Sequence, residues 1–320
     1  MDNIENTKVK LVDKIKYDKT LIKEGFVQNF DFNTYDHKKT GLIFIFTAII
    51  FPFSINILLS YLFADHKQYA LLASQVIGWI IAATGGIIIY KNEKDKFIRT
   101  GAIGFYIFLF LGPVISFIIS LVLGVINPNL TSIPIEVNFS VQIIAQIISI
   151  YFIFKASPQT LKRIKHTIKK QTKLLVVIVL LSGLIIILAN VAFSQLDFLI
   201  NKKTSSNQES LLQGLNKWWN MVLMFILVVL VAPVIEELAT RHGIFTLCGN
   251  EWLSLLASTL FFAGMHIQAT GEWNHLLAYI APGFLLGLLF IFVNGNVTYA
   301  IFAHSFINLV SFILLVGGTL

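Results

Sequence analysis

The sequence predicts an all-α fold: a polytopic membrane bundle of about eight or nine transmembrane helices, with its polar site between the C-terminal ones. Three observations predict it. Of 320 residues, 56% are hydrophobic and 13% charged, and the mean hydropathy is +0.77. A soluble domain carries roughly twice that charge. Runs of about 20 apolar residues recur, the length needed to cross a bilayer. The basic residues lie between these runs, so the net charge of +7 reports membrane topology and excludes a nucleic-acid partner. The single Cys248 excludes an internal disulfide framework.

Taken in order, residues 1–40 form a polar tail with eight Lys against seven Asp and Glu. No cleaved apolar leader is expected, and the tail reads as solvated, with a short amphipathic helix around Val9–Ile22 as the alternative. Residues 41–200 hold five apolar runs: Gly41–Ala64, Ala70–Tyr90, Gly101–Ile126, Val137–Phe154 and Leu174–Leu196. A polar loop, Asp197–Trp219, follows, and residues 201–220 are expected to form an extracytoplasmic loop. Residues 221–320 then form the last unit, with shorter runs at Met221–Arg241, Leu253–Ile267, Leu276–Val293 and Val297–Val316.

Orientation follows from the positive-inside rule. With the N-terminus inside, the tail, Lys91–Arg99, Lys155–Lys173 and Arg241 hold 20 of the 24 Lys and Arg. Only Lys67, Lys202, Lys203 and Lys217 fall outside. The N-terminus is therefore expected in the cytoplasm, with the block Lys162–Lys173 against the anionic inner leaflet. Glu236 and Glu237 are then expected near the cytoplasmic end of their helix. No internal repeat with paired broken helices is present, which argues against a secondary transporter.

Polarity concentrates late in the chain. From Met221 onward the only charged residues are Glu236, Glu237, Arg241, Glu251 and Glu272, yet four of the seven histidines lie there. An ionisable residue within a span is costly and marks function by default. Glu237 and Arg241 stand four apart, where carboxylate and guanidinium can pair. Glu236 points to a different side and has no local partner. His266 closes the run Phe262-Ala-Gly-Met-His266, and His304 and Asn308 share a helix face. Each group alone is weak, since polar residues at such positions are often packing contacts. Together on successive helices they suit hydrolysis: Glu236 as general base, His266 to hold water or pass a proton, His304 and Asn308 as oxyanion donors. No H-E-x-x-H, no aspartate within an apolar run and no nucleophile elbow is present.

Glu236-Glu237-x-x-x-Arg241, Phe262-x-x-x-His266 and His304-x-x-x-Asn308 resemble, in order and spacing, the three motifs of the CPBP intramembrane proteases. That family includes the CAAX prenyl endopeptidase Rce1 and bacterial Abi immunity proteins. The resemblance spans roughly Trp218–Phe312 and includes the Gly283–Gly287 helix, while residues 1–200 match nothing beyond spanning a membrane. It implies a glutamate-dependent endopeptidase acting on peptide or membrane-protein substrates near the cytoplasmic face. Glu236 and His266 would activate water, His304 and Asn308 would stabilise the oxyanion, and Glu237 and Arg241 would support the first helix. Bacteriocin immunity, peptide-signal maturation and prenyl-protein-like processing are the roles it suggests. The Lys-, Asn- and Ile-rich composition fits a low-GC Gram-positive bacterium.

Two other classes compete: a non-catalytic scaffold regulating a signalling or cell-wall partner, and a channel using Glu236 and the histidines as a proton path. A zinc site of Glu236, His266 and His304 is the second choice of mechanism. A zinc-bound His hands its other ring nitrogen to an acid or carbonyl, and the only spare acid, Glu237, is expected to be claimed by Arg241. Metal-free hydrolysis without a cofactor is therefore expected. The partners are a peptide substrate and the lipid bilayer, and the sequence leaves the oligomeric state open.

Overall fold

The computed structural model describes residues 30–126, 133–203 and 205–318. The tail segment Val9–Ile22, where a short amphipathic helix is the alternative, lies outside them. The described residues are helical throughout, without a strand. Among the described residues, eight helices are long and apolar enough to cross a membrane. These are α1 (His37–Leu62), α2 (Ala64–Asn92), α3 (Ala102–Ile126), α4 (Ile135–Ala156), α6 (Thr172–Asn201), α8 (Trp218–Cys248), α10 (Trp273–Phe292) and α11 (Val297–Gly317). Between them lie α5 (Pro158–Lys170) and α7 (Ser206–Gln213), and α9 (Glu251–Ile267) is a shorter apolar helix. This is the all-α membrane bundle that the runs of apolar sequence predict.

The turns sort onto two opposite faces, and hydrogen bonds knit each. On the lysine-rich face, Thr40 donates to Glu93, the Lys96 ammonium lies 4.4 Å from the centre of the Tyr35 ring, and Arg163 donates to the carbonyls of Asn294 and Gly295. On the other face, the Trp273 indole donates to Asn56, the Asn201 amide to the Asn274 carbonyl, and Ser206 to Glu272. Burial alone would raise the Glu272 carboxyl, but the Ser206 N–H and hydroxyl and the Thr270 hydroxyl outweigh it and hold it below its ordinary range.

The sequence expectation for α8 needs one correction. The helix does not end at Arg241 but runs to Cys248, so the two glutamates sit near its middle, about 17 Å of helix from that end. The charges do not stop the helix because partners on other helices meet them inside the bundle. Gly249 stops it instead, in the left-handed region (φ +63°) and packed against the Tyr35 carbonyl, where a Cβ would collide. Helix α6 likewise outlasts its expected end and carries Asp197 inside the protein, 2.7 Å from His275 Nδ1.

Candidate functional site

Helix α8 carries the first part of the site, and its backbone is widened on both sides of the glutamates. Residues Ile226–Val231 and Leu238–Gly243 form π-helical turns, in which each N–H reaches back five residues. In the first of these, Ala232 N–H bonds the Leu227 carbonyl. The next donor in that register would be residue 233, which is proline and has no N–H. The carbonyl thus orphaned is that of Val228, and Asn308 Nδ2 from α11 donates to it at 2.8 Å. Local sequence therefore explains why an amide is needed opposite α8.

Glu237 is wholly enclosed. Its Oε2 lies 3.1 Å from Arg241 Nε, an ion pair set off the line of a good hydrogen bond. Its Oε1 accepts from His304 Nδ1 at 2.9 Å. Arg241 is also fully buried and donates to Thr240, Ser258 and the Gly283 carbonyl, while the Phe262 ring stacks 4.9 Å from its guanidinium carbon. Pairing a buried charge this completely is what makes its burial tolerable.

Glu236 differs from its neighbour. Its side chain is 16% exposed, and His304 Nε2 lies 3.9 Å from its Oε2. That separation is longer than a hydrogen bond, so the two are not tied together. The Glu237 carboxylate can only accept, which puts the His304 proton on Nδ1 and turns Nε2 toward Glu236. His266, on α9, behaves alike: its Nδ1 lies 2.7 Å from the Phe262 carbonyl, so Nδ1 donates and Nε2 is left to accept. Its ring stacks on Tyr279 of α10, with centroids 4.8 Å apart and planes 16° from parallel. The Tyr279 hydroxyl shares a hydrogen bond with Ser205 at 2.8 Å.

The structure thus brings Glu236, Glu237, Arg241 and His304 together as one cluster. The Phe262 ring, 5.6 Å from His304 and 4.9 Å from His266, spans the two histidines. Asn308 stands one turn beyond His304, with one N–H given to Val228 and a second remaining. Sequence reasoning missed Thr240, Tyr279, Ser205 and the Val228 carbonyl. Pro233 was the available signal for the last of these.

The expectation that Arg241 alone claims Glu237 is not met. Glu237 is not consumed by Arg241, because one oxygen faces Arg241 and the other takes His304 Nδ1–H. Both histidines hand Nδ1 to an acceptor and keep Nε2 free, as metal-binding histidines do. The donors nevertheless do not converge: among the described residues no three His, Cys, Asp or Glu side chains stand close enough to hold a metal ion. As arranged, Glu236, His266 and His304 do not fit one.

The comparisons with known proteins point to the same segment of the chain. Residues 218–310 match the Rce1-like family, described as type II CAAX prenyl endopeptidase Rce1-like. An uncharacterized protein of Mycoplasma capricolum subsp. capricolum is 30% identical over 305 residues, covering 90% of each chain. No solved structure matches. The matched segment contains all three motifs and every residue of the cluster, and over residues 218–310 the chain belongs to the Rce1-like family of membrane proteins.

Proposed function

We propose that the chain is an intramembrane endopeptidase that hydrolyses peptide bonds with a glutamate-activated water. The observation that carries this reading is the contrast between adjacent carboxylates. Glu237 is closed off by Arg241 and His304, while Glu236 stays partly open beside His304 Nε2 in mid-helix. Glu236 takes a proton from water, and the water oxygen bonds the carbonyl carbon of the substrate. His304, protonated on Nε2 as well as Nδ1 at this step, donates Nε2–H to the oxyanion, and Asn308 donates its second N–H. The carbon–nitrogen bond then breaks, and the proton taken by Glu236, passed on by His266, ends on the leaving nitrogen. Arg241 and Glu237 hold His304 in place. No metal is needed in this sequence of steps.

The substrate is a peptide or membrane-protein segment. The distribution of lysines supports an N-terminus inside, and the Lys-, Asn- and Ile-rich composition supports a bacterial plasma membrane. Maturation of a small peptide, or immunity against one, suits a site enclosed among apolar helices long enough to cross a membrane. A scaffold role is favoured only by Asn308, whose bond to Val228 is structural. The test compares wild type and Glu236→Gln in nanodiscs on a panel of fluorogenic peptides, and in cells. Cleavage by the wild type alone, with equal insertion and folding, is the expected result. Equal cleavage by both removes Glu236 from the mechanism, and cellular function kept without Glu236, His266 and His304 favours the scaffold.

A further inference from the structure

Helix α5 plays no part in the chemistry above, yet it is the most strongly patterned surface of the molecule. It joins the ends of two spans, α4 at Ala156 and α6 at Thr172, so it lies along the membrane surface. One face packs inward, where Thr160 and Thr167 are buried and Arg163 is half-buried. At 100° per residue, Lys165 and Lys169 fall on the opposite face, with Leu161 and Ile168 along one flank and His166 and Lys170 along the other. Lys165, Lys169, Lys170 and, at the start of α6, Lys173 are exposed, and so is Ile168. No acidic residue lies between Lys155 and Gln195. A basic ridge with an apolar flank, held at headgroup level, is complementary to anionic lipid.

The inward face is fastened to the helix that carries His304 and Asn308. Arg163 Nη1 and Nη2 donate to the Gly295 and Asn294 carbonyls at 3.0 and 2.9 Å. Those two residues make the left-handed turn before α11, with φ of +68° and +52°. Burial lowers the Arg163 pKa to about 10, so the guanidinium stays charged at neutral pH. The Asn296 amide donates to Thr167 at 2.9 Å, and the Tyr299 hydroxyl donates to Gln171 at 3.0 Å.

We propose that α5 is a docking site for anionic phospholipid headgroups, and that its inner face transmits their binding to the Asn294–Tyr299 start of α11. The ligand chemistry is a phosphodiester with net negative charge in a bilayer. The test uses the full chain in nanodiscs of phosphatidylcholine alone or with one third phosphatidylglycerol. Lipids retained after delipidation are counted by native mass spectrometry, and unfolding temperature is read in parallel. Wild type is expected to retain phosphatidylglycerol over phosphatidylcholine and to melt higher in the anionic bilayer. Changing Lys165, Lys169, Lys170 and Lys173 together to Gln should abolish that preference, a weakening of at least about tenfold for four charges. Thr167→Val should keep lipid retention but lose the lipid-dependent gain in melting temperature. Equal retention of both lipids by wild type, or an unchanged preference in the four-Gln protein, overturns the proposal. So does full reproduction of the thermal gain by inorganic phosphate in neutral nanodiscs. A Thr167→Val protein that keeps the full gain overturns the transmission to α11.

Discussion

Helices α3 and α8 are both long, apolar spans, yet about half of the most apolar stretch of α8 is buried inside the protein and none of that of α3. Past its first turns α3 presents Phe117, Ile118, Leu121 and Val122 to the surroundings. Helix α8 is enclosed by α3, α4, α9 and α11 and carries the two glutamates and Arg241. Apolar composition therefore says that a helix crosses, not whether lipid or protein surrounds it. What separates the two is the polar side chains, which only a protein-lined interior can accommodate.

The sharpest test of this contrast is Glu236→Gln, which leaves shape and burial nearly unchanged. Peptide cleavage should fall by roughly 10²–10⁴-fold, the usual contribution of a general base, while the melting temperature stays near that of wild type. Next in size are Glu237→Ala and Arg241→Ala. Each strands a buried charge and should cost about 3–5 kcal/mol, read as lost folded yield and an earlier thermal transition. Glu237→Ala should in addition weaken catalysis in whatever protein folds, because His304 loses its anchor. Parent-like stability of both variants would mean that the enclosed pair contributes nothing.

Asn308→Ala should cost less, about 1–3 kcal/mol, since it leaves one backbone carbonyl without a donor. A loss near zero would show that water replaces the amide. At the small end, Leu121→Ala on the exposed face of α3 should change stability by about 0.5 kcal/mol or less. Chelation provides a separate check: prolonged treatment should leave cleavage intact. Loss of activity restored by zinc, with one metal per chain, would mean that the donors close around an ion when substrate is present.

Much of this was legible in the sequence. The number of spans follows from apolar run length, and the Glu237–Arg241 pair follows from helical spacing alone. The His304–Glu237 bond did not, because it joins residues 67 apart in the chain and depends on how α8 and α11 pack. The place of Glu236 along its helix was misjudged for a related reason: a charge ends a span only when nothing neutralises it. Tyr279 was invisible because an aromatic ring in an apolar helix carries no mark of stacking on a histidine. The sequence did hold a clue to the role of Asn308 at Pro233, but reading it required the five-residue register.

That register has a consequence for how the chain can change over generations. A π-helical turn is an α-helix with one residue too many, and deleting one residue from Ile226–Val231 would let ordinary pairing resume. The helix would survive, and so would its apolar character. A widened turn spends its extra residue on a broader circuit, so the residues after the deletion would keep nearly the same direction and height. Glu236 would still face His304. Removal of Val229, Leu230 or Val231 would leave Pro233 four residues after Val228, so Asn308 would meet the same orphaned carbonyl. Deletion at these positions should thus spare insertion and cleavage alike, whereas deleting Val234, in ordinary α-helix, would turn everything after it by about 100° and draw it back by about 1.5 Å.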